Sequence, residues 1–188
     1  TVGDHAVYGG MLLNYSDPRP AVGWPLDRLS IHHNVWNRIL GRMPEVSRES
    51  VAAADSVLDL ELSNNLLWDP GYFLDFARET FPYGPEPSDP VWYRLNWVGN
   101  EAWARTGFPY GMISFPDPFE PVESTTYFAG NRINLHPGLA DYQLNYCCND
   151  FPPDPLPGTP PWAIVERHPF PAITYTPAWS RSTTGSPS

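Results

Sequence analysis

The chain has no lysine. All 11 of its basic residues are arginines, set against 21 Asp and Glu for a formal net charge of −10. Without a basic stripe to displace counterions from phosphates, nucleic acid is excluded as a partner. Cysteine is scarce as well: Cys147 and Cys148 stand alone and adjacent. A vicinal disulfide is strained and the pair lacks metal-ligand spacing, so both read as structural rather than redox-active. No apolar run approaches the roughly 20 residues of a membrane-spanning helix, and no membrane partner is expected. Nor does a charged-then-apolar leader open the chain at Thr1, so either a leader was removed or the chain is a piece of something longer. Helix signals are few, the best being an amphipathic turn or two over 70–79.

Proline and glycine, at 24 and 14, are too frequent for a helical protein and fit long ordered loops between short strands. At 188 residues with 41% hydrophobic content, one domain with a sizeable core is expected.

A short pattern returns four times: a strand-like run that ends in Asn and is followed by more apolar residues. The runs are 29–36 (LSIHHNVW), 58–66 (LDLELSNNL), 93–100 (YRLNWVGN) and 126–133 (TYFAGNRI). Their asparagines, Asn34, Asn65, Asn100 and Asn131, lie 31, 35 and 31 residues apart. A fifth, weaker copy is read at 10–14 (GMLLN). Repetition at a period between about 20 and 50 residues marks a solenoid. Apolar residues alternate within each copy, best at Leu58, Leu60 and Leu62, as in a strand with one buried face. No single copy has enough apolar area to fold alone, so coils must stack. An Asn at the same corner of every coil can donate to one neighbour and accept from the other, forming an asparagine ladder. Gly99 and Gly130, each just before its Asn, suit a sharp corner.

The expected organisation is all-β. Solenoid coils with long loops span 1–139, a proline-rich extended arm over 140–179 packs outside them, and 180–188 is a disordered tail.

Chemistry concentrates around His32, His33 and Asn34, followed by Arg38, Arg42, Pro44 and Arg48. On a strand, His32 and His33 would point to opposite faces. No third ligand is placed by spacing to make the pair a metal site. The three arginines form either an anion site suited to carboxylates or a solvated loop paired with Glu45, Glu49 and Asp55.

Ser30-Ile31-His32-His33-Asn34-Val35-Trp36 followed by Gly41-Arg42-Met43-Pro44 resembles the strand, His-His-Asn and Arg-x-Pro signature of the pectate lyases of polysaccharide lyase family 1. The segments 60–65 (LELSNN), 95–100 (LNWVGN) and 127–131 (YFAGN) resemble the family's next coils, and 170–178 (FPAITYTPA) resembles the start of its C-terminal segment. The resemblance implies a right-handed, single-stranded parallel β-helix, incomplete at its N-terminal end. It implies a secreted, monomeric enzyme that cleaves α-1,4-polygalacturonate, an acidic polysaccharide, by β-elimination with calcium. Arg42 would be the general base, assisted by nearby positive charge. Arg48, His5 and Arg38 would bind substrate, while His32 and His33 support the strand and loop. The chain departs from the family in three places. The usual substrate-binding lysine would fall near Gly9, where His5 serves instead; the calcium ligands would lie upstream of Thr1; and the C-terminal match ends at Trp179. A non-catalytic carbohydrate-binding β-helix is the alternative. A glycoside hydrolase ranks last, because no clear carboxylate pair recurs on one strand.

Overall fold

The computed structural model describes residues 9–14, 28–47, 57–71, 74–76, 92–109, 111–114, 125–146, 159 and 162–170. These residues form an all-β structure of three sheets in which every strand pairing is parallel. The first sheet holds β2 (Arg28–His32), β5 (Val57–Ser63), β8 (Trp92–Val98), β11 (Thr125–Ala129) and β14 (Ala163–Ile164). The second holds β3 (Val35–Asn37), β6 (Leu66–Trp68), β9 (Glu101–Trp103) and β12 (Arg132–Ile133). The third holds β1 (Leu12–Asn14), β4 (Glu45–Ser47), β7 (Leu74–Phe76), β10 (Ile113–Ser114) and β13 (Asn145–Tyr146). The chain visits the sheets in rotation, first to second to third, and each pass lays one strand beside its predecessor in every sheet.

Period-two alternation decides which side chains fill the interior. In the first sheet, Ile31, Leu62, Trp97 and Phe128 are register partners, as are Leu29, Leu60 and Leu95. In the second, Trp36, Leu67, Ala102 and Ile133 line up in the same way. Ile31, Leu60, Leu62, Leu95, Trp97 and all four second-sheet residues are buried in one apolar core, with Leu29 and Phe128 packed against it. Identical positions on successive passes thus stack like on like, which is why no pass needs a core of its own.

Three sequence expectations change. The helix expected over 70–79 is not formed: Leu74–Phe76 is strand β7, paired with β4 and β10. Ladder hydrogen bonds on both sides outweigh a weak local helical pattern. The fifth copy at 10–14 is not a copy of the same element, because β1 pairs with β4 in the third sheet. The sheets also run past the boundary expected at residue 139, through β13 and β14. Cys147, Cys148 and the tail 180–188 lie outside the described residues.

Candidate functional site

The corner between the first and second sheets is built the same way on all four passes. The residue before each ladder asparagine has left-handed backbone, with φ of 58° at His33, 55° at Asn64, 65° at Gly99 and 69° at Gly130. Glycine, asparagine and histidine are among the residues that enter this region most readily. The turn aims each asparagine inward. Oδ1 of Asn65 accepts from Asn34 N (3.1 Å) and Nδ2 (3.0 Å). Oδ1 of Asn100 serves Asn65 in the same way at 3.0 and 2.9 Å, and Oδ1 of Asn131 serves Asn100 at 3.0 Å twice. Each Nδ2 also donates to a backbone carbonyl: His32, Ile31, Leu62 and Trp97 in turn. Beyond Asn131 the next rung is a carboxylate. Asp141, which opens a 3-10 turn over Asp141–Leu144, accepts from Asn131 N and Gly130 N, both at 2.8 Å. Burial pushes its carboxyl above the usual range, and the two N–H donors oppose that shift.

His33 has left the strand by this corner, so the expected opposition of His32 and His33 fails. Alternation holds only along extended backbone. The rings instead meet edge to face with Nδ1 atoms 2.8 Å apart, one donating and the other accepting.

Arg42 stands where the chain turns from the second sheet into the third. Its backbone is left-handed (φ 55°), and the Met43–Pro44 peptide bond that follows is cis. Met43 and Pro44 are buried. The Arg42 carbonyl accepts from Gly10 N (3.1 Å) and Met11 N (2.8 Å) of the preceding pass. The glycine pair gives this arrangement its room. A Cβ on Gly9 would come within 2.9 Å of Arg42 Cδ, and one on Gly10 within 2.7 Å of the Trp36 ring. A lysine at position 9 would therefore displace the Arg42 side chain, which accounts physically for glycine there. Arg48 and His5 lie outside the described residues.

Arg38 belongs to a second corner. It and Asp69 occupy matching left-handed positions after β3 and β6 (φ 55° and 48°). Arg38 Nε lies 3.5 Å from Asp69 Oδ2, and Arg105 from the following pass grips the same carboxylate with two bonds of 2.7 and 2.5 Å. Beside them, Trp68 and Trp103 stack with centroids 6.0 Å apart and planes at 29°. Trp68, Asp69, Trp103, Ala104 and Arg105 line a hollow of about 300 Å³. The sequence reading missed this pair, although each tryptophan stands three residues after its ladder asparagine.

The outer face of the first sheet was missed too. Asp59 and Glu61 form a carboxylate pair on one face of β5, and it does not recur at the register positions of β2 and β8, which hold Arg28 and Ser30, and Arg94 and Asn96. Both are buried. Asp59 takes two bonds from Arg94 (2.5 and 2.8 Å), and Glu61 is bonded by Arg167. Burial raises the Glu61 carboxyl above its ordinary range; Arg167, Asn96, His32 and Ser63 each pull it back. His168 exchanges backbone bonds with the Asn96 amide at 2.9 and 3.0 Å, and its Nε2 meets Thr125 Oγ1 at 3.1 Å. After β14, which lies in the sheet beside β11, Arg167 and His168 therefore reach back over its outer face onto β5, β8 and β11.

Among the described residues, no three His, Cys, Asp or Glu side chains gather to hold a metal ion. No described helix is long and apolar enough to cross a membrane. Comparisons with protein-family models, curated proteins and solved structures found no match.

Proposed function

We propose that the three sheets are successive faces of a right-handed parallel β-helix, and that the protein is a pectate lyase-like polysaccharide lyase. It would act as a secreted monomer on α-1,4-polygalacturonate. The observation that carries this reading is the setting of Arg42. Its carbonyl is bonded to Gly10 and Met11, its side chain lies over Gly9, and it follows the asparagine-ladder corner in the order the Arg-x-Pro signature requires.

In the reaction, Arg42 acts in its neutral guanidine form, whose nitrogen lone pair takes the proton from C5, next to the uronate carboxylate. The C5–H electrons form the C4=C5 double bond, the C4–O bond breaks, and the departing glycosidic oxygen takes up a proton. Calcium is part of this family's chemistry. The described residues do not converge on such an ion, so the role assigned to this chain is that of its own side chains. Arg38 stands at the neighbouring corner, where it is paired with Asp69.

The test is ultraviolet absorbance during incubation of the full-length protein with polygalacturonate and calcium, beside Arg42→Ala. The reading predicts a conjugated double bond from the parent and its loss in the variant. A second reading, a carbohydrate-binding β-helix without catalysis, draws on the exposed Trp68–Trp103 pair. It predicts retained binding with no double bond from either protein.

A further inference from the structure

We propose that residues 165–168 form a strap that lies on the outer face of the first sheet at neutral pH and lifts from it, without unfolding the sheet, when His168 takes up a proton. The root of the strap is fixed. β14 pairs with β11 through Ala163 and Ile164, Trp162 O accepts from Thr126 N at 2.8 Å, and the Trp162 ring meets Phe128 with centroids 5.8 Å apart. The chain then doubles back at Val165, which is 90% exposed, and Arg167 and His168 land on β5, β8 and β11.

His168 is held by polar contacts of a kind that water can replace. The Asn96 side chain clasps its backbone twice: Oδ1 accepts from His168 N at 2.9 Å, and Nδ2 donates to His168 O at 3.0 Å. His168 Nε2 meets Thr125 Oγ1 at 3.1 Å, and the neighbouring Arg167 bonds the buried Glu61. Hydrogen bonds exchanged for bonds to water contribute little net, so this end opens more readily than the ladder at the root. Local opening draws on segments built in this way.

The surroundings of His168 make its proton the trigger. It faces Asp59 from β5, Arg94 and Asn96 from β8, and Thr125 from β11. Arg94 grips the Asp59 carboxylate with two bonds of 2.5 and 2.8 Å, so a proton on His168 would meet a guanidinium beside a carboxylate already engaged. Burial first, and Arg94 after it, hold the docked ring below its ordinary 6.5, against Thr125 and Asp59. Docking is therefore fully favoured above 6.5 and weakens as pH falls below it. One proton allows at most about a tenfold change per pH unit, until the docked ring has also protonated. On the strap itself Glu166 is exposed, and Arg167 stays charged throughout. Arg167 faces Glu61, with His32 near that carboxylate. Lifting the strap relieves the burial of Glu61 and withdraws Arg167 together, two changes of opposite sense, which leaves the pH dependence to His168.

The His168 amide, bonded to Asn96 Oδ1, reports the strap, and the amides of β5 and β8 report the sheet beneath. Hydrogen exchange of the full-length protein, followed by nuclear magnetic resonance, gives their protection relative to an unstructured chain at each pH. That ratio removes the pH dependence of the exchange chemistry itself. Between about pH 7.5 and about pH 5.5 the protection of the His168 amide should fall severalfold, and by no more than about tenfold, while β5 and β8 keep theirs. His168→Gln keeps the backbone clasp and removes the titrating ring, so its protection should stay level. Arg94→Gln removes the repelling charge and frees Asp59 to face the imidazolium, so the fall should shrink; it carries the comparison if His168→Gln does not fold. Level protection in the parent, or the same fall in either variant, overturns the proposal. So does a loss in β5 and β8 in step with His168, because that is unfolding of the sheet and not lifting of the strap. No polysaccharide enters the measurement, so its outcome is independent of the lyase reading.

Discussion

Replacing Asn100 by Ala removes an inner rung of the ladder, and the structure says what each partner loses. Asn65 N and Nδ2 lose their shared acceptor, while Leu62 O and Asn131 Oδ1 lose a donor. Two of these groups are rescued: Asn65 Nδ2 keeps Ile31 O, and Asn131 Oδ1 keeps Asn100 N. The Asn65 N–H loses the acceptor described for this corner, where Asn65 and Asn100 are only 4% and 1% exposed, whereas the Leu62 carbonyl stays in the parallel ladder beside Val98. At about 1–3 kcal/mol for a buried polar group left without a partner, the cost should be about 2 kcal/mol. Asn34→Ala is the matched control. Its side chain donates to His32 O and Asn65 Oδ1 at a half-buried end of the ladder, and Asn65 Oδ1 keeps Asn34 N. That loss should be about 1 kcal/mol. Urea unfolding of the full-length protein reads both as shifts in midpoint at unchanged m-value. Equal midpoints for the two variants would refute the ladder as a source of stability.

Other outcomes follow from the same geometry. Because burial raises the Asp141 carboxyl, the unfolded chain ionises first as pH rises above 3.8, so this residue's contribution to stability falls until the folded carboxyl has also ionised. Asp141→Asn should remove that stretch of the pH profile and cost about 1 kcal/mol at neutral pH, since an amide offers one acceptor oxygen to two N–H donors. His168 is lowered by burial first, with Arg94 adding to the shift and Thr125 and Asp59 opposing it. As pH falls below 6.5 the unfolded histidine gains its proton before the folded one, so stability should drop through that window, and His168→Gln should flatten it in a series of unfolding curves. Gly10→Ala should lower stability by about 1–3 kcal/mol, since the added methyl meets the buried Trp36 ring. Gly130→Ala should cost about 1 kcal/mol from its left-handed backbone alone, because nothing lies within 4 Å of the new Cβ. Identical effects at the two glycines would contradict the packing described for Gly10.

The first sheet and its corner were legible because their signals are local and repeated. Alternation over 58–62 places Leu60 and Leu62 inside, and the even spacing of four asparagines anticipates the ladder. What was not legible depends on partners distant in sequence. Leu74–Phe76 has no strand signature of its own, and pairing with β4 and β10 makes it one. The run at 10–14 matches the repeat in composition, but only its pairing with β4 assigns it to another sheet. Asp141 closes the ladder from ten residues beyond Asn131, and Arg38 meets Asp69 from the next pass, so neither contact is visible in a local window. The Trp68–Trp103 pair was within reach: aligning the copies on their asparagines puts both tryptophans in one column.

The most direct test of the lyase reading is the mass of the fragments released from a defined oligogalacturonide by the full-length protein, beside Arg42→Ala. Elimination adds no water, so the two fragment masses should sum to that of the substrate, and the variant should release none. Fragments whose masses sum to the substrate plus one water, or equal release by the variant, would contradict the account.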